Sequence, residues 1–215
     1  MTNMESIERK VARYLLEIEA VQLNTEKPFT WASGWKSPIY CDNRKILSYP
    51  DIRRNICGYM VDVISDKFKS VEVIAGVATG AIAWGAIVAD ILDKPFVYIR
   101  PKPKDHGTGA QIEGRLPEGA GVVIIEDLIS TGQSSLSAAD VLSKSGAVDL
   151  GMVAIFSYNF AKARRAFENT NLELRTLSNY DTLIEEALAI DYIKPGDVEL
   201  LKAWRLSPET WGQDK

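Results

Sequence analysis

The run Val122-Val123-Ile124-Ile125-Glu126-Asp127-Leu128-Ile129-Ser130-Thr131-Gly132-Gln133-Ser134-Ser135 decides how this chain folds. Four consecutive β-branched apolar residues read as a strand buried on both faces, the mark of a parallel sheet. Helical spacing follows at once and predicts a helix over 134–144. Two carboxylates and a turn of small residues therefore fall at the carboxyl edge of a sheet strand. In open α/β sheets ligands bind at that edge, where N–H groups of the turn and the helix start face an anion. Ser130, Thr131, Gly132, Gln133 and Ser134 would cradle a phosphate. Glu126 and Asp127, as two ionised acceptors side by side, would take hydrogen bonds from neighbouring hydroxyls of an attached sugar. No Gly-x-x-x-x-Gly-Lys-Ser/Thr loop occurs, and Gly107, Gly109 and Gly114 miss the dinucleotide-binding spacing.

Outward from this run, strands at 71–75, 96–99, 122–125 and 152–156 alternate with helices at 81–92, 134–144 and 161–168. That alternation implies an α/β fold whose mainly parallel sheet is flanked by helices. Before it come an amphipathic helix over 6–19, short strands near 29–31 and 39–41, and a helix opened by Pro50. Beyond 172 the pattern weakens to a strand over 172–177 and helices over 182–190 and 196–204. The uncharged stretch 73–89 approaches membrane-spanning length, but Gly76, Gly80 and Gly85 interrupt it and Glu72 and Asp90 bound it. It reads as a strand, a turn over 76–80 and a buried helix. Ala78, Thr79 and Gly80 then form a second phosphate-facing loop.

With 215 residues and 46% hydrophobic content, the chain can bury one sizeable core. A net charge of −4 gives no footprint for nucleic acid or an anionic membrane. Cys41 and Cys57 have no metal-ligand companions nearby and read as reduced thiols of a cytoplasmic protein. Residues 1–10 hold no apolar signal-peptide core.

The segment 100–114 connects two core strands where a few residues would suffice. Its two prolines, three glycines and several charges predict a mobile excursion, and loops of that length are usually functional or disordered. Arg100, Lys102, Lys104 and the only histidine, His106, could close over a highly charged leaving group.

The apolar run, acid pair and Thr-Gly turn resemble the phosphoribosyl-pyrophosphate (PRPP) signature of the type I phosphoribosyltransferases. Lys104-Asp105-His106-Gly107 ahead of Ile112-Glu113-Gly114 resembles the catalytic loop of the orotate phosphoribosyltransferase family, and Phe29-Thr30-Trp31-Ala32-Ser33-Gly34-Trp35-Lys36-Ser37-Pro38-Ile39-Tyr40 resembles its N-terminal hood. These matches cover about the first 160 residues in the family's order. The resemblance implies the type I phosphoribosyltransferase fold in a single domain over 1–215: hood elements near 1–45, a core over about 50–175 and a C-terminal helical extension over about 178–215. It implies Mg²⁺-dependent transfer of phosphoribose from PRPP to orotate, giving orotidine 5′-monophosphate and pyrophosphate for pyrimidine synthesis. It also implies a homodimer whose loop 101–114 reaches the neighbouring site, and a cis peptide between Ala78 and Thr79. Lys104, His106 and Asp127 become the catalytic candidates. Arg100, Lys104, His106 and the whole of 126–134, Leu128 and Ile129 included, become PRPP contacts, and Ala78, Thr79 and Gly80 become the pyrophosphate loop.

Three positions depart from the family pattern. Many members carry lysine where Ala32 and Pro101 stand, and some carry an arginine in the segment Ser157-Tyr158-Asn159-Phe160. Lys102 is expected to supply the second loop charge one position late. Orotate's carboxylate is then expected to meet backbone N–H groups around Ser33–Lys36, or Lys36 and Arg44, with the Ser130 hydroxyl on the base. A phosphoribosyltransferase for another base shares the PRPP turn but does not need this hood and loop. A non-enzymatic PRPP-sensing regulator would be expected to carry a basic DNA-reading helix or an added domain.

Overall fold

The computed structural model describes residues 6–31, 33–103 and 111–212. The Ser6 hydroxyl accepts the Arg9 N–H and starts α1 (Ile7–Glu17), whose buried stripe is Val11, Ala12, Leu15 and Leu16. Four short strands follow: β1 (Val21–Leu23), β2 (Phe29–Thr30), β3 (Lys36–Ser37) and β4 (Ile39–Cys41). They pair antiparallel, β1 with β4 and β2 with β3, and make the hood. A 3₁₀ turn over Asn43–Ser48 leads to α2 (Pro50–Lys67), with Pro50 in its first turn.

The core alternates as its apolar runs predict: β5 (Val73–Val77), α3 (Ile82–Leu92), β6 (Phe96–Ile99), β7 (Ile112–Glu113), β8 (Gly121–Ile129), α4 (Gln133–Lys144), β9 (Val148–Ser157), α5 (Ala161–Glu168) and β10 (Leu174–Asn179). Two further helices, α6 (Tyr180–Ala189) and α7 (Asp197–Leu206), complete the described chain. The central sheet has the order β10-β9-β8-β5-β6-β7 and is parallel except for β7. This is the expected mainly parallel α/β architecture. α2 and α3 pack together, while α4 packs with α5.

From β5 the chain steps to β6 on one side, then returns to β8 on the other. A crevice therefore opens between the carboxyl ends of β5 and β8, where parallel sheets bind ligands. Pairing of β5 with β8 stops at Gly76↔Ile125, while β8 stays paired with β9 through Ile129↔Ser157. The strand expected over 122–125 is thus nine residues long. Glu126 and Asp127 lie inside it, on a ledge supported from one side, because β9 continues to offer partners after β5 has turned away.

β7 has no counterpart in the periodicity. Two residues are too few to show alternation, yet Tyr98↔Glu113 and Ile99↔Ile112 make an antiparallel hairpin from β6. Its mouth is held twice: Arg100 N–H donates to the Gln111 carbonyl at 2.9 Å, and Gln111 Nε2 donates to the Arg100 carbonyl at 2.8 Å.

Candidate active site

After β8 the backbone must turn at once into α4. Gly132 does this with φ +78°, and a Cβ there would also lie 3.0 Å from the Phe167 ring, so glycine is required twice over. The first turn of α4 holds no acidic residue to occupy its N–H groups. Thr131, Gln133 and Ser134 open into a cavity of about 450 Å³ whose far wall is Ala78, Arg100 and Gln111. The turn thus faces both the loop after β5 and the mouth of the β6–β7 hairpin. Ala78–Thr79 is a cis peptide, as the resemblance implied. Arg100 Nη1 is buried with no hydrogen-bond partner among the described residues, and Glu113 Oε1 lies 3.8 Å away, beyond bonding distance. A buried guanidinium nitrogen in a long ion pair but without a hydrogen bond, beside a cavity of N–H groups, fits a multiply charged anion.

Asp127 sits at the junction of these parts. Its carboxylate lies against Gly80, where an added Cβ would collide with it, and its carbonyl accepts Asn43 Nδ2 at 2.5 Å. Buried Asn43 in turn accepts the Cys41 thiol at 3.3 Å. Glu126 is 5% exposed; its carboxyl accepts the Asp127 N–H at 3.0 Å and the Ser135 hydroxyl at 2.9 Å. Burial, then the Asp127 charge, push the Glu126 pKa up to about 8. Burial raises Asp127 as well, while a hydrogen bond from Glu126 and the charge of Arg44 work the other way. Both shifts run against two ionised acceptors side by side, because a strand edge at this depth poorly solvates two adjacent anions.

This has a measurable consequence. The unfolded chain ionises Glu126 near its ordinary 4.5, whereas the fold retains the proton to about 8. The contribution is fully present below 4.5 and is lost as pH rises toward 8, a slope worth a few kcal/mol. Glu126→Gln has no proton to release. Its thermal midpoint is expected to change less than the parent's between about pH 5 and pH 8; parallel curves would remove Glu126 as the titrating group.

On the other side of the turn, a second cavity of about 420 Å³ lies between hood and sheet, lined by Thr30, Trp31, Tyr40, Leu128, Ser130 and Tyr158, with Cys41 beside them. Leu128 and Ser130 reach it together because alternate residues share one face. Ile129 points away, fully buried beside Ser157, Ala163 and Phe167. The Leu128 side chain thus lines the hood cavity and the Ile129 side chain belongs to the core, which leaves their backbone as the part that can face PRPP. Burial raises both the Cys41 thiol and the Tyr158 phenol well above their ordinary values, so this wall is uncharged.

The proposed carboxylate donors fare unequally. Lys36 Nζ donates to the Thr30 hydroxyl at 3.0 Å, one bond from the cavity lining. Arg44 is committed to Asp42 through Nε at 2.7 Å and Nη2 at 3.1 Å and does not line the cavity. The backbone donors expected around 33–36 are partly spent inside the hairpin, with Gly34 N–H on the Trp31 carbonyl and Trp35 N–H on Ser33 Oγ. Lys104 and His106, and Ala32 in the hood, lie outside the described residues. Trp31, Tyr40, Cys41, Tyr158 and Gln111 escaped the sequence reading. No local signal marked them, since their partners in the cavity wall lie on separate elements.

A small-residue turn at the sheet edge beside an aromatic-lined cavity fits phosphoribosyl transfer, and the sequence profile of the "Phosphoribosyl transferase domain" family matches residues 42–186. The orotate phosphoribosyltransferase of Porphyromonas gingivalis is 54% identical, aligned over 97% of this chain and 100% of that protein. That of Enterococcus faecalis OG1RF is 53% identical over 98% of this chain and 100% of its own. The crystal structure of orotate phosphoribosyltransferase from Aeropyrum pernix covers 86% of this chain and 99% of that one, with TM-score 0.74 and 27% identity. The chain belongs to the orotate phosphoribosyltransferase family.

Proposed function

We propose that the chain transfers the phosphoribosyl group of PRPP to orotate, giving orotidine 5′-monophosphate and pyrophosphate in pyrimidine biosynthesis. The observation that carries this reading is the division of the sheet edge by the turn 130–131, with an anion cradle on one side and an aromatic slot on the other. Full-length identity above half to orotate phosphoribosyltransferases supports orotate as the base. Incubation with PRPP, Mg²⁺ and a panel of bases, followed by pyrophosphate release and product identification, tests it. Turnover with orotate alone is expected, and turnover only with purines would overturn it.

In this reading the helix start and the residues 130–134 hold the 5′-phosphate, Asp127 takes a ribose hydroxyl, and Ala78–Gly80 with Arg100 face the pyrophosphate. Breaking the bond at the ribose carbon puts positive charge on the sugar and further negative charge on the departing group. Asp127 places its charge near the first. Arg100, with Lys104 and His106 from the loop, answers the second, and closure of 101–114 would exclude water that otherwise hydrolyses PRPP. The attacking group is a ring nitrogen of orotate, so no protein nucleophile is required. For its carboxylate, Lys36 is the nearest cation, through Thr30.

The donor set suits a metal carried by the substrate. Among the described residues no three His, Cys, Asp or Glu side chains gather, and Asp127 is the one carboxylate facing the β5 loop. Mg²⁺ commonly binds through one or two carboxylates plus substrate phosphates, and when bound it offsets leaving-group charge. A homodimer in which 101–114 reaches the neighbouring site is part of the same reading, supported by the match of 104–107 to the family loop. So is a cytoplasmic setting, supported by two free thiols. No described helix is long and apolar enough to cross a membrane.

Asp127→Asn is expected to weaken PRPP binding by roughly ten- to hundredfold, the range for losing a charged hydrogen-bond partner. Calorimetry showing unchanged affinity would end the hydroxyl-clamp role.

A further inference from the structure

The hood and the sheet edge are joined through a residue far along the chain. Trp204 of α7 is fully buried, and its ring lies 5.6 Å from Trp31 of the hood and 5.8 Å from Tyr158 at the end of β9, edge-on to both. Trp31 and Tyr158 are two walls of the 420 Å³ cavity, 5.2 Å apart. The remaining sides of the indole meet Phe160 at 5.4 Å and Tyr180 at 5.5 Å. Its N–H donates to the carbonyl of Lys36 at 3.2 Å, a bond spanning 168 residues.

The same helix holds both partners elsewhere. At its start Asp197 accepts the Thr25 hydroxyl at 2.7 Å, tying the loop between β1 and β2. At its end Arg205 donates to the carbonyl of Asn159 at 3.4 Å and pairs with Asp181 at 3.1 Å. α7 is itself fixed by the Tyr180 hydroxyl, which donates to the Leu201 carbonyl at 3.0 Å. The hood strands β2 and β3 are two residues each and cannot hold their own orientation. As a strap, α7 adds a tie to them from outside the hood, at Lys36.

We infer that Trp204 is a positioning residue for the nucleobase: its N–H and its edge contacts hold Trp31 and Tyr158 against each other as one continuous wall, and so fix the shape of the cavity that receives a planar ring. The inference rests on the phosphoribosyl-transfer reading of that slot. The PRPP cradle, built on β5, β8 and α4, makes no contact with Trp204 through these rings or this bond, so the two substrates should respond differently.

The test is Trp204→Phe, which keeps an aromatic ring and removes the N–H donor. The KM for orotate is expected to rise about three- to tenfold, the range for one lost hydrogen bond, with PRPP affinity by calorimetry within about twofold of the parent. Unchanged KM values would overturn the inference, as would equal weakening of both substrates, which marks general loosening. If Trp204→Phe does not fold, Thr25→Val loosens the other end of α7 outside the core. A rise in orotate KM alone supports the strap, and no change overturns it. Parent protein that forms no orotidine 5′-monophosphate would instead defeat the functional reading itself.

Discussion

Lys104→Ala lowers kcat by about 10²–10³-fold in steady-state assays while the KM for PRPP stays within about threefold. The reason is timing. Charge on the departing pyrophosphate grows only as its bond breaks, so a cation closing over it contributes to the transition state and little to the bound substrate. The described stems of the loop, Arg100 and Gln111, clamp the hairpin mouth and both line the cavity in front of α4. Turnover within about twofold of the parent would remove Lys104 from the chemistry.

Gly80→Ala is expected to cut kcat/KM by about a hundredfold, a loss typical of catalytic groups displaced by about an ångström. A methyl group at this position would enter the space of the Asp127 carboxylate. Asp127 cannot retreat easily, because its own strand is paired with β9 and its carbonyl is held by Asn43. The sheet core lies below the contact, so the far-ultraviolet spectrum should match the parent's while PRPP affinity falls. Full activity in the alanine variant would show that the acid and the β5 loop do not act together.

The sheet was legible because its strands are buried on both faces and therefore written as unbroken apolar runs, as at 122–125 and 152–156. The cradle was legible for a related reason: strand, small turn and helix are contiguous, so one stretch carries the whole device. The hood cavity was not. It is assembled from Tyr40, Leu128 and Tyr158, which periodicity places on three unrelated elements, and only the tertiary fold brings them to one wall. The electrostatics of Glu126 and Asp127 were hidden for a physical reason, since two adjacent acids in a sequence show no depth, and burial is what raises both. Trp204 looked like one more apolar position on a weak helix, with nothing nearby to reveal that its partners lie in the hood.

The turn 130–131 is a partition as well as a cradle, with Ser130 facing one compartment and Thr131 the other. An incoming ring and an outgoing diphosphate are then kept on opposite sides of the sugar. With orotate and pyrophosphate in these two compartments, bond making and bond breaking at the anomeric carbon would lie on one line, and a product of inverted configuration is the expected outcome.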